Sequence, residues 1–232
     1  ALFLTKTKDR LPAIGGLARQ MFDARKSRYL AGLWEESLQD DLLWEIYTTS
    51  KLKKPRPFPR NAPTWSWASV ETFVGYWDTI VFTSLDEEGS AEERDPYEHF
   101  SIITACEVKE SAIDEFGAID HGRLTISGLV VQGTLERELE TMKDEERVVH
   151  YISFPNARML MASDYLLDHP GHDQVVPGST VFCLRMTLLQ WSQKERLISL
   201  VLRKSPDIPG TFERIGTLKT VGSIGSVGPK GG

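Results

Sequence analysis

Apolar positions recur every three or four residues in the first fifth of the chain and mostly every second residue after that. Leu11, Ile14, Leu17, Met21 and Phe22 lie at helical spacing, which predicts a helix over residues 9–24. Asp9 is its expected N-cap, with Pro12 in the first turn. Gly15-Gly16 weakens that helix by about 1 kcal/mol per glycine, and marks either a break or a close approach by another backbone. A second helix is predicted over residues 33–47, where Trp34, Leu38, Leu42 and Ile46 form an i, i+4 stripe. Four prolines, Pro55, Pro57, Pro59 and Pro63, then forbid a helix or a central strand.

Beyond the prolines the period falls to two. Extended segments are predicted at 64–70, 76–83, 100–108, 123–132, 147–154, 180–188, 196–203 and 211–220, with turn signals such as Phe116-Gly117, His121-Gly122, Pro170-Gly171 and Pro209-Gly210 between them. The glycines of 128–133 read as bulges or bends within a strand. The acidic stretch 85–95 and most of 136–146 read as solvated loops, and the Gly-rich end as a disordered tail. The expected fold is α+β and mainly β, with two N-terminal helices packed on a β-sandwich or distorted barrel of about eight strands. The expected division is a helical segment and Pro-rich loop at 1–60, a β-rich domain at 61–222 and a tail at 223–232.

Composition narrows the partners more than the chemistry. The net charge of −6 disfavours nucleic acid and anionic membranes, both of which select basic surfaces. The short basic run at 51–56 is interrupted by proline and reads as a solvated loop. The two cysteines, Cys106 and Cys183, are too few for a disulfide framework and read as buried, reduced thiols. No apolar run approaches the ~20 residues that span a bilayer. A cytoplasmic protein is the expectation. The chain opens on Ala and enters a periodic pattern almost at once, as a piece of a longer protein would.

Residues 60–71, RNAPTWSWASVE, place Trp65 and Trp67 on one face of the predicted strand. The pair reads as core, with an exposed stacking platform as the alternative. DRLPAIGGLARQM (9–21), RYLAGLWEESLQDDLLWEI (28–46) and NAPTWSWASVE (61–71), in this order, resemble the fungal heterokaryon-incompatibility (HET) domain proteins. In that family a YLAGLW…LLW segment, a proline-bearing loop and APSWSWAS follow the HET domain proper. Segments 178–186, 197–204 and 210–218 resemble the β-rich end of such proteins more loosely. The resemblance implies that this chain corresponds to the region after the HET domain proper, a domain related to TIR domains that triggers cell death on non-self recognition. The matching positions are Tyr29, Leu30, Ala31, Gly32, Leu33, Trp34, Leu43, Trp44, Ala62, Pro63, Trp65, Ser66, Trp67, Ala68 and Ser69, none with an implied catalytic role.

Direct signals for chemistry are sparse. Asp164, Asp168, His169, His172 and Asp173 form the best metal-type cluster, but the stretch reads as a polar turn and no metal is assigned. No G-x-S-x-G elbow, P-loop or G-x-G-x-x-G appears. Asp9 reads as a cap, Arg10 and Arg28 as solvated or paired with Glu35 or Glu36, and Glu45 as an exposed helix residue. The expected function is a non-catalytic module, not an enzyme, without a cofactor, acting through a protein partner. A small-molecule or carbohydrate-binding β module is the alternative, with Trp77 or Trp191 as its platform. A metal-dependent hydrolase built on 164–173 stands third.

Overall fold

A computed structural model of the chain describes residues 7–46, 53–76, 98–110, 114–142, 145–191 and 194–223. After a helix, α1 (Arg10–Arg25), the N-terminal part carries two short antiparallel pairs. These are β1 (Tyr29–Leu30) with β2 (Leu33–Trp34), and β3 (Trp44–Ile46) with β4 (Val74–Tyr76). A single helical turn, α2 (Leu38–Asp41), lies between β2 and β3. β5 (Glu98–His99) is a short edge strand. Eight longer strands follow among the described residues: β6 (Ser101–Glu110), β7 (Ile119–Gly128), β8 (Val130–Met142), β9 (Glu145–Phe154), β10 (Ala157–Ser163), β11 (Thr180–Trp191), β12 (Lys194–Lys204) and β13 (Phe212–Ser223).

Six of these close into an antiparallel barrel in the order β8-β9-β10-β13-β12-β11, with β11 returning to β8 through Thr180↔Thr134 and Val181↔Gly133. Closure removes the sheet edges that a sandwich would leave open. Alternation then sorts the side chains. Leu135, Ile152, Met161, Val181, Cys183, Val201 and Ile215, drawn from all six strands, meet in one buried cluster. The opposite face of β11 and β12 contributes Leu184, Met186, Ile198 and Leu200 to a second cluster, covered by Leu30, Leu33, Leu42 and Trp65. The β6–β7 hairpin packs beside it through Ile103, Leu124 and Ile126.

The mainly β architecture follows the sequence expectation; several finer readings do not. α1 matches the predicted helix, but Asp9 makes no side-chain cap bond, and Leu17 and Met21 are exposed. The helix buries Leu11, Gly15 and Ala18, and at Gly15 an added Cβ would stand 2.8 Å from the Phe116 carbonyl. That glycine is therefore a close approach, onto the Phe116 loop rather than onto the barrel.

The predicted helix at 33–47 is reduced to a 3-10 turn at Glu35–Ser37 followed by one α-helical turn at Leu38–Asp41. Trp34 and Trp44 belong instead to the two short strand pairs, and Asp41 Oδ2 accepts from Trp34 N at 3.0 Å. Tertiary pairing overrides a locally helical pattern here. The predicted strand at 64–70 is a turn: Ser66 N donates to Pro63 O at 2.9 Å, and Ser66 Oγ accepts from Ala68 N at 3.0 Å, closing a 3-10 turn at Trp67–Ser69. A serine side chain that bonds its own backbone competes with the sheet ladder. Glu45, read as exposed, is buried in β3 and bonded to Lys219 Nζ. The predicted loop at 136–146 is the far end of the β8–β9 hairpin as far as it is described, and the predicted strand 123–132 spans the break between β7 and β8. β10 was not among the predicted strands. Residues 77–83, 85–95 and 224–232 lie outside the described residues. Among the described residues, no helix is long and apolar enough to cross a membrane.

Candidate functional site

The motif residues are separated in sequence and joined in space. The β1–β2 turn passes through Ala31 at φ 51° and Gly32 at φ 98°. The Pro63–Ser69 turn receives it. Ser66 Oγ donates to Ala31 O, and Trp67 Nε1 donates to Gly32 O at 2.9 Å. A Cβ on Gly32 would stand 2.8 Å from Trp67 Nε1, so glycine is required both by the backbone and by the indole. Trp44 Nε1 donates to Trp65 O at 2.8 Å. Tyr29 stacks edge-on against Trp34, and burial pushes its hydroxyl up to about 12. Leu33, Leu43, Trp65 and Ala68 are buried in the same core, and Ser69 is buried beside Thr64. Trp65 and Trp67 do not share a strand face; Trp65 enters one cluster, and Trp67 packs against both.

Behind this interlock lies a buried ionic layer. Arg214, on β13, is among the largest fully buried side chains. Its Nε donates to Asp164 Oδ2 at 2.8 Å, its Nη1 to Leu42 O, and its Nη2 to Trp44 O, while the guanidinium lies 3.5 Å from the Trp44 ring centre. The Leu42–Trp44 segment is thus clamped to the barrel by one arginine. Arg60 and Arg203 share Glu213 and Asp173, at distances from 2.6 to 2.9 Å. Burial alone would raise Glu213, but hydrogen bonds from Arg60 and Arg203 outweigh it and hold the carboxyl down to about 2. The same bonds outweigh the burial of Arg60 and raise its pKa.

Arg56 differs from these. Its side chain is sealed from solvent, yet only Nη2 is hydrogen-bonded, to Arg214 O at 2.9 Å. Nε and Nη1 have no hydrogen-bond partner; the nearest carboxylate oxygen to Nη1 is Asp173 Oδ1, at 3.9 Å. The guanidinium lies 4.2 Å from the Tyr165 ring centre. Burial lowers the pKa of Arg56, opposed by Tyr165, Asp164 and Asp173. Arg56, Tyr165 and Asp173 are the buried lining of a cavity of about 230 Å³; Phe58, His169, Pro170 and Gly171 are its exposed lining. Phe58 stacks on half-buried His172 at 4.6 Å. Asp173 Oδ2 and His172 Nδ1 also lack partners. A second, wider recess of about 430 Å³ lies between Gln174–Val176 and Phe182, with Arg203 and Lys204.

The five residues of the metal-type cluster are dispersed. Asp164 goes to Arg214, Asp168 to Arg137 at 3.1 Å, His172 to Asp207 at 3.0 Å, and Asp173 to Arg60 and Arg203, while His169 is exposed. Among the described residues, no three His, Cys, Asp or Glu side chains converge to hold a metal. Cys106 is half-buried and Cys183 buried; burial pushes their thiols up to about 11 and about 12. Trp77 lies outside the described residues, and Trp191 ends β11, opposite Lys194, rather than sitting in the turn. Arg28 pairs with Glu35 at 2.9 Å, as the sequence allowed.

The reading of 51–56 as solvated is overturned at Arg56, which the sequence analysis passed over together with Arg60, Arg203 and Arg214. Pro-Arg-Pro at 55–57 holds the Arg56 backbone extended, but nothing local in the sequence marks its side chain for burial. Comparison with known proteins finds no matching family model, no matching curated protein and no matching solved structure.

Proposed function

We propose that this chain is a non-catalytic module of a fungal HET-type protein. In this reading it supports or regulates heterokaryon incompatibility and programmed cell death through protein–protein contact in the cytoplasm. Its partner is an upstream HET domain or an incompatibility partner, not nucleic acid or a membrane. The observation that carries the reading is the interlock of two of the motif segments, 28–46 and 61–71. Positions that resemble one family at separated places make a single contact set, Ala31 and Gly32 with Ser66 and Trp67, and Trp44 with Trp65. The thiols raised by burial support a non-catalytic role, because the thiolate is the nucleophile. Induced expression of the chain in a fungal strain tests the reading, with soluble accumulation measured in the same cells. Healthy growth with soluble protein is expected; cell death would place the toxic activity in this region. A second reading, a small-molecule-binding β module, is favoured by the cavity beside Arg56.

A further inference from the structure

Closure of the barrel is staggered. β8 pairs with β11 over residues 130–134 and with β9 over residues 134–142, so residues 130–133 have a neighbouring strand on one side alone. Leu129 O accepts from Arg185 N at 2.9 Å, and Leu135 N donates to Ser179 O at 2.9 Å. Odd-numbered residues of β8 therefore bond toward β11. The N–H and C=O of Val130 and Gln132 point the other way, to an edge that holds no strand among the described residues. β7 leads directly into β8 and pairs with β6 alone, so the unpaired edge continues along it. Open edges are normally blunted by charges or proline. The outer edge of β6 follows that rule with Glu107, Lys109 and Glu110. The β7–β8 edge does not: no charged residue and no proline stands between Arg123 and Glu136. Leu129, Val130 and Val131, in succession, are 58, 51 and 41% exposed, so the edge is apolar on both faces.

We propose that this edge, from Leu124 to Gln132, is a strand-addition site for an extended, uncharged peptide segment of a partner protein, rich in β-branched residues. A row of free backbone donors and acceptors is answered most fully by another extended backbone. The added strand lies antiparallel to β8 and end to end with β9, which takes over the same edge at Thr134. An edge without charges offers no ion pair, so a charged visitor gains nothing there, whereas Val130 and Val131 pair well with β-branched side chains. A second copy of this chain fits poorly. Its own β7–β8 strand runs on in both directions, and beyond Thr134 the edge it would use is already held by β9. This inference does not depend on the incompatibility reading, since the edge is defined by the pattern of strand pairing alone.

Amide hydrogen exchange of the chain, resolved by residue with NMR, is the test, with the peptide acetyl-KTVTVTVTK-amide as the probe. In the free chain the Val130 amide should exchange at least about tenfold faster than the Val131 amide, which bonds toward β11. Saturating peptide should slow Val130 at least about tenfold and leave Val131 as it was. The same peptide N-methylated at its central amides keeps its side chains but not its donors, and should bind at least about tenfold more weakly. Val130→Pro removes the edge donor without touching the β11 ladder and should weaken binding by a similar factor; the methylated peptide carries the test if that variant fails to fold. The proposal is overturned if Val130 is already as protected as Val131 in the free chain, or if the peptide does not bind up to about 1 mM. It is equally overturned if the methylated peptide binds as tightly, or if Val130→Pro folds and leaves binding intact.

Discussion

Arg214 and Arg56 are both sealed from water and joined by one hydrogen bond, yet their surroundings are opposite. Every nitrogen of Arg214 has a partner, and those partners belong to separate parts of the chain: Leu42, Trp44 and Asp164. Arg56 has one bonded nitrogen and a cavity beside it. A buried charge whose hydrogen bonds are all met by the fold is a structural clamp. A buried charge with donors left over is held in place by its neighbours and carries an unmet desolvation cost. The two arginines mark a difference between the motif interlock, where the buried guanidinium is fully matched, and the proline loop, where it is not.

The largest effect should come from breaking the clamp. Arg214→Met leaves Asp164 buried without its cation and two carbonyls without donors. It should cost about 3–5 kcal/mol in denaturant unfolding, whereas Arg56→Met should cost about 1 kcal/mol or less. Equal costs would erase the distinction.

Gly32→Ala comes next. A methyl at φ 98° that also meets the Trp67 indole should cost about 2–3 kcal/mol, read in the same denaturation assay.

Acid should then loosen the ionic layer shared by the two regions. The Glu213 carboxyl is held at about 2, below its ordinary 4.5, so its contribution is present above pH 4.5 and drains as pH falls toward 2. About 2 kcal/mol should be lost across that window, and Glu213→Gln should flatten the pH–stability curve there.

Within the interlock, the smallest effect is Ser66→Ala. It removes the bonds to Ala31 O and Ala68 N and should cost about 1–2 kcal/mol by thermal melting.

Legibility in the sequence followed the range of the forces involved. β9 announces itself by apolar alternation along a strand, and β11 and β12, buried on both faces, by nearly continuous apolar runs. The outer half of β8 did not. Its glutamates 136, 138 and 140 look like loop charge until β9 and β10 bring Arg147 and Arg158 alongside them. The tryptophan stretch gave its burial but not its backbone, since a local bond from Ser66 decided the turn. The burial of Arg56 was invisible for a different reason. Tyr165 and Asp173 stand more than a hundred positions away, and no periodicity in 51–60 points to them. Motifs legible as words in the chain turned out to be fully matched in their hydrogen bonds, while the unmatched buried groups of Arg56 and Asp173 belong to no motif at all.

Hydrogen exchange at the arginine side-chain Nε–H groups, followed by NMR, tests the central contrast most directly. The account predicts that Arg214 Nε–H, bonded to Asp164, is protected far more strongly than Arg56 Nε–H, which has no acceptor. Equal protection at the two groups would contradict it.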